Sequence, residues 1–193
     1  MAIETNPFLG PTWAPLGRAL TVSIKSATSR RPFEFQTYGR KYGLMPMDSP
    51  YFQGYRDEIS QEWIVEASGN LQCRPPLTEL QYQELEFYGW KPPTQTPAEF
   101  AADGYIPDIE VGSPNFVRIF PKGESLDVVV EAILTAAVGV YGIEEEDFFN
   151  FGEGGIADKV GNLQLLGRVK ASDGNQRREI FAMPGKHLKA IGE

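Results

Sequence analysis

Apolar residues recur along this chain with two different periods, and each change of period predicts where helix gives way to strand. After Pro11, the residues Trp13, Leu16, Leu20 and Ile24 fall at spacings of 3, 4 and 4, which is one face of an α-helix. Thr12 is its candidate N-cap, and Pro15 is tolerated in the first turn. The Ser-, Thr- and Arg-rich stretch from Ser26 to Pro32 ends the helix. Phe33, Phe35 and Thr37 then alternate with Glu34, Gln36 and Tyr38, as in a half-buried strand. Tyr51 to Arg56 reads as a second strand, Asp57 to Ser60 as a hairpin connection and Gln61 to Ser68 as a third strand. In that third strand Trp63 and Val65 face one way and Glu62, Ile64 and Glu66 the other. Ile64 spoils the alternation, which predicts a strand covered on more than one side.

The stretch from Leu77 to Pro93 carries the start, body and stop of a short helix. Thr78 is a good N-cap, Gln81 completes a capping box, and Leu77 and Tyr82 are placed as a hydrophobic staple. Gly89 fits the left-handed position after the helix, and Pro92 and Pro93 prevent its continuation. A long Pro-rich connection from Pro92 to Pro114 follows, with Asp103, Asp108 and Glu110, and its length marks it as functional or mobile. Asn115 to Phe120 is a short strand. Ser125 opens the strongest helix, in which Leu126, Val129, Val130, Ile133, Leu134, Ala137, Val140 and Tyr141 form a wide apolar stripe. Such a stripe suits a sheet-covering helix or a dimer interface, and core burial is the expectation.

After Gly142 the character changes to an acidic run, Glu144 to Asp147, then Phe148, Phe149 and Phe151, then the flexible Gly152 to Gly155. Leu163 to Lys170 and Glu179 to Met183 are expected to pair as a last hairpin, before a basic tail holding Lys186, His187 and Lys189. The pattern as a whole predicts an α+β fold, an antiparallel sheet packed against helices. One domain is expected over residues 11–143, with a C-terminal extension over 144–193 comprising a β-hairpin and a tail.

Composition narrows the function classes. A chain of 193 residues suits one domain with an appendage. With 26 acidic against 18 basic residues the formal net charge is -8, which repels phosphate backbones and makes a nucleic-acid partner a poor expectation. Cys73 is the single cysteine, so an intramolecular disulfide and a cysteine-based zinc site are both excluded. The first residues lack the basic start and apolar run of a signal peptide, and the longest apolar run, Val128 to Val140, is interrupted by Glu131. The expectation is a cytoplasmic chain with no membrane partner.

Catalytic signatures are weak. His187 is the sole histidine and lies near the C-terminus, without a G-x-S-x-G elbow or another nucleophile signature to serve. Cys73 as nucleophile needs that same histidine, so a small apolar residue at a strand end is its expected role. The acidic run lacks the spaced ligands of a calcium loop and reads as a solvated acidic loop, and Gly152 to Gly155 lacks the Lys-Ser/Thr of a phosphate loop and reads as a hinge. The expectation is no enzyme activity, no catalytic residue, no metal and no cofactor.

The order helix, three strands, helix, strand, helix resembles the fold shared by type III secretion chaperones and YbjN-like proteins. YFQGYRDEISQEWIVEASGN looks like the strand pair of the actinobacterial branch of that group, often called TY-Chap, a peptide-binding chaperone domain. The matching positions are Gln53, Glu66, Ser68 and Asn70. LTELQYQELEFYGWKPP is similar to the family's L-x-x-L-G-W-x-x-P segment through Leu85, Tyr88, Gly89, Trp90 and Pro93. SPNFVRIF, with Asn115, looks like the family's P-N-x-x-R strand. The resemblance covers Trp13 to Ile143, with Tyr88 in place of leucine, Ala67 in place of valine and a long loop from Thr94 to Ser113.

The resemblance implies a non-enzymatic, chaperone-like protein, possible as a homodimer, that holds an extended segment of another protein or peptide. Such a partner would add to a free sheet edge or face, and Phe52, Trp63, Trp90 and Phe116 are the aromatic residues available to line that surface. Taken singly, each is more often a core residue than a surface one. The alternative from another class is an acidic immunity or inhibitor protein that blocks a basic toxin or enzyme by charge.

Overall fold

The computed structural model describes residues 11–38, 49–71, 73–96, 99, 112–144, 147–150, 156–158, 180–182 and 188–190. A short 3-10 turn, Pro11–Trp13, leads into α1, Ala14–Lys25. Three strands follow, β1 (Phe33–Tyr38), β2 (Tyr51–Arg56) and β3 (Trp63–Ala67), then α2 (Glu79–Phe87), β4 (Phe116–Phe120) and α3 (Leu126–Leu134). The last turns of α3 widen into a π-helical segment, Thr135–Val140. The short strands β5 (Phe148–Asn150), β6 (Ile156–Asp158), β7 (Ile180–Ala182) and β8 (Leu188–Ala190) complete the order. The fold is α+β, with one antiparallel sheet in the order β4-β3-β2-β1-β5-β6 and a separate β7-β8 pair.

The alternation of the strands decides which side the helices take. Phe33 and Phe35 of β1, Phe52 of β2, Trp63, Val65 and Ala67 of β3, and Phe116 and Phe120 of β4 are all buried on one face. They form one cluster with Leu16, Leu20 and Ile24 of α1, with Leu85 of α2 and with Val129, Val130, Ile133 and Leu134 of α3. The wide stripe of α3 is therefore spent on the core. Phe52 sits among three rings: Phe35 stacks across the β1–β2 ladder at 5.9 Å, and Trp90 and Tyr141 approach edge-on at 6.0 and 5.5 Å. Phe149 of β5 stacks on Phe35 from the other side at 6.0 Å, so the core continues past residue 143 into the segment expected to be an extension.

Local chemistry explains the ends of these elements. Asp57 Oδ1 accepts from the amides of Ile59 and Ser60 at 2.9 and 2.6 Å, closing the β2–β3 hairpin as an Asx turn. The α2 capping box forms, with the Thr78 Oγ1 accepting from the Gln81 amide and the Gln81 Oε1 accepting from the Thr78 amide. At the other end Gly89 has φ +83°, while its amide bonds the Glu86 carbonyl and the Trp90 amide bonds the Leu85 carbonyl. Those two bonds make a Schellman motif, and Trp90 and Leu85 supply its buried apolar contact. No basic residue stands in the last turn of α2; the Arg118 guanidinium of β4 lies there instead, against Gly89 and 4.8 Å over the Phe120 ring.

Several expectations are corrected. Thr12 does not cap α1: the 3-10 turn moves the N-cap position to Trp13, which makes no side-chain cap bond. The third strand is shorter than Gln61 to Ser68, because Gln61 takes a left-handed turn conformation, φ 63°, at the hairpin. Asp147 is buried and not solvated, its carboxylate accepting from the Glu144 amide at 2.8 Å. Residues 180–182 form a strand that pairs with 188–190, so Lys189 of the expected basic tail stands in β8. The expected partner segment 163–170, Gly152 to Gly155 and His187 lie outside the described residues.

Gln81 has a second role that the capping pattern does not contain. Its Nε2 donates to the Val140 carbonyl at 2.7 Å, tying the start of α2 to the π-helical end of α3. Glutamate satisfies a capping box as well as glutamine and suits a helix N-terminus better. Gln81→Glu is nevertheless expected to cost about 1–2 kcal/mol at neutral pH in urea unfolding, because a carboxylate oxygen then faces the Val140 carbonyl. Unchanged stability would show that the inter-helix bond contributes nothing.

Candidate functional site: the uncovered face of the sheet

The helices cover one face of the sheet, and among the described residues no helix covers the other. Cross-strand register fixes what that face presents. Glu34, Gln53, Glu66 and Val117 stand in one row across β1 to β4, and Tyr55, Ile64 and Ile119 stand in a second. Glu34, Gln53, Tyr55, Ile64, Glu66 and Val117 are half-buried, and Ile119 is 45% exposed. The unpaired side of β4 is partly closed. Lys91 exchanges two backbone bonds with Val117, at 2.8 and 3.0 Å, and the amides of Thr94 and Gln95 both bond the Ser113 carbonyl. Pro92 and Pro93 lie within this capping segment, a usual way to protect an edge from strand addition.

At one end of the face a polar network surrounds Glu66. Its Oε2 accepts from Gln53 Nε2 at 2.7 Å and from Asn115 Nδ2 at 3.2 Å, and its Oε1 accepts from the Ser113 hydroxyl at 3.2 Å. Asn115 Nδ2 also donates to the Tyr51 hydroxyl at 2.8 Å, and Asn115 Oδ1 accepts from the Gly69 amide at 3.3 Å. These three donors to the carboxylate are all neutral. Burial, with the Glu66 charge adding to it, pushes the Tyr51 phenol up to about 12, against the pull of the Asn115 bond. The phenol therefore stays protonated near neutral pH.

The positions that carry the family resemblance divide into three groups. Gln53, Glu66 and Asn115 meet in this network, although Asn115 is 49 residues from Glu66 in the chain. Ser68 and Asn70 hold the backbone next to it. The Ser68 Oγ accepts from the Tyr51 amide at 2.7 Å in place of the Ser68 carbonyl, which is left to accept from the Tyr141 hydroxyl at 2.6 Å. Asn70 Oδ1 accepts from the Leu77 amide at 2.7 Å and so sets the approach to α2. Gly89 and Trp90 belong to the helix end on the opposite face.

The four aromatic residues named as candidates to line a peptide surface lie in the core, the commoner place for each of them. Phe52 and Phe116 are fully buried, Trp90 is 1% exposed and Trp63 is 8% exposed. The alternation of β2, β3 and β4 turns Phe52, Trp63 and Phe116 toward the helices, and the Schellman motif folds Trp90 under α2. Trp90 Nε1 is buried with no hydrogen-bond partner among the described residues. Sequence reasoning missed Tyr51, Tyr55 and Ser113. The two tyrosines share the period of Gln53 and were legible from it, whereas Ser113 reaches Glu66 from a loop, for which no periodic signal exists.

Among the described residues no group of three or more His, Cys, Asp or Glu side chains is placed to hold a metal ion. No described helix is long and apolar enough to cross a membrane. No protein-family model, no curated protein and no solved structure matches this chain.

Proposed function

We propose that the chain is a non-enzymatic, chaperone-like binding protein that holds an extended or unfolded segment of another protein against the uncovered face of its sheet. The carrying observation is the row Tyr55, Ile64 and Ile119, partly exposed on the side away from the helices. Apolar side chains on a sheet face, interleaved with amides and carboxylates, suit an extended chain that lays alternate residues on it. The order α-β-β-β-α-β-α through α3, and the resemblance to secretion chaperones, support the same reading. Contact through side chains is favoured over strand addition at β4, since Lys91 already pairs with Val117 at that edge.

The test uses a reduced and alkylated, permanently unfolded protein as probe, followed by fluorescence anisotropy. Ile119→Asp is expected to weaken its binding by roughly tenfold, about 1.4 kcal/mol, through loss of apolar contact. Val22→Asp on α1, exposed on the helical side, is expected to leave binding intact. Absence of binding by the native chain, or equal loss in both variants, would remove the proposal. Tight binding of one folded basic enzyme and of no unfolded chain would replace it with the inhibitor reading.

A further inference from the structure

The donors around Glu66 fix the position of its carboxylate without cancelling its charge. Gln53, Asn115 and Ser113 are all neutral, and they use three of the acceptor sites on the two oxygens. Asn115 is only 5% exposed and has both ends of its amide engaged, so the arrangement is rigid. Glu34 stands in the same row, one strand beyond Gln53, and adds a second negative charge. Among the described residues the interior of the face carries no lysine or arginine; Lys91 stands beyond Val117, at the edge. The charge of Glu66 is thus oriented, and no cation among the described residues neutralises it.

The neighbours define the shape of what fits. Along β2, Tyr51 and Tyr55 flank Gln53 on the same face, and Ile64 and Val117 adjoin Glu66 along β3 and across to β4. An aliphatic stem ending in a cation matches such a surface: the stem covers apolar groups and the head meets the carboxylate. A carboxylate or a phosphate is repelled by it.

We propose that the uncovered face selects its partner segment by a lysine or arginine flanked by apolar residues, the cationic head seating on the Glu66 carboxylate. This specifies the ligand class of the binding reading above and rests on it. Recognition at Glu66 sets which segment is held, and the apolar row at Tyr55, Ile64 and Ile119 receives the flanking residues.

The probes are three labelled peptides that alternate serine and valine and differ only at the central residue, which is lysine, norleucine or glutamate. Anisotropy is read at low and at physiological ionic strength. The lysine peptide is expected to bind on the order of tenfold tighter than the norleucine peptide, with the gap narrowing as salt rises, and the glutamate peptide is expected to bind weakest. Glu66→Gln removes the charge but not the network, since the amide oxygen still accepts from Gln53 and Asn115 and the amide nitrogen donates to Ser113. In that variant the preference for lysine is expected to vanish while the norleucine peptide binds as before and the melting temperature holds. Equal binding of the lysine and norleucine peptides, or a lysine preference that survives Glu66→Gln, overturns the proposal and leaves the binding reading standing. Failure of all three peptides, together with failure of the unfolded-protein probe, removes both.

Discussion

Trp90→Ala is expected to lower the unfolding free energy by about 3–5 kcal/mol, a large share of what holds a domain of this size together. The ring is 1% exposed, meets Phe52 edge-on at 6.0 Å and forms the buried contact of the motif that ends α2. Removing it opens a cavity between helix and sheet that backbone at a fixed helix end cannot collapse to fill. Trp90→Phe separates the two contributions of the residue. The buried Nε1 has no partner among the described residues, a state that costs on the order of 1–3 kcal/mol, and phenylalanine abolishes it while keeping much of the ring. Trp90→Phe is therefore expected to cost less than half as much as Trp90→Ala in urea unfolding. Equal losses would mean that the indole nitrogen carries no penalty. Unchanged stability in Trp90→Ala would contradict the core position altogether.

Gly54→Ala is expected to cost about 2–3 kcal/mol, although alanine is ordinarily preferred to glycine in a strand. A Cβ at Gly54 would lie 2.5 Å from the Ile64 carbonyl oxygen, 3.0 Å from the Val65 Cα and 3.0 Å from the Phe33 ring. Two of those three neighbours are backbone of β3, so β2 and β3 must separate to admit a methyl group. The register of Gln53 with Glu66, one position away, is then disturbed as well. Gly139→Ala supplies the contrast. Nothing lies within 4 Å of a Cβ there, and the variant is expected to gain about 0.4–1 kcal/mol by restricting the unfolded chain. A Gly54→Ala protein as stable as the native chain would show that the strands move apart at little cost.

Both substitutions act on the side of the sheet away from Glu66. The face proposed to bind a partner is supported from behind by rings and a close strand contact, while Gln53, Tyr55, Ile64 and Glu66 on it are half-buried and Ile119 is exposed. Destabilising variants of the core and binding variants of the face are thus separable. Loss of stability tracks Trp90 and Gly54, and loss of binding tracks Glu66 and Ile119.

The elements themselves were legible in the sequence, because helix caps and periodicity are local. Thr78, Gln81 and Gly89 act within a few residues of one another, and the apolar spacing of α1 and α3 follows from the geometry of a single helix. The same alternation also carried the information that Phe52 and Gln53 lie on opposite faces. What it lacked was which face the helices cover, since an aromatic row, though more often core, also suits a binding surface. The tertiary structure decided that, by laying α1, α2 and α3 on the Phe52 side, with no helix on the Gln53 side among the described residues. It also decided the partners whose separation in the chain is long. Asn115 with Glu66, Tyr141 with Ser68, Gln81 with Val140 and Phe149 with Phe35 are products of strand order and helix packing, and no local pattern encodes them. A short-range rule specifies which element a residue joins; only the assembled sheet specifies what that residue meets across it.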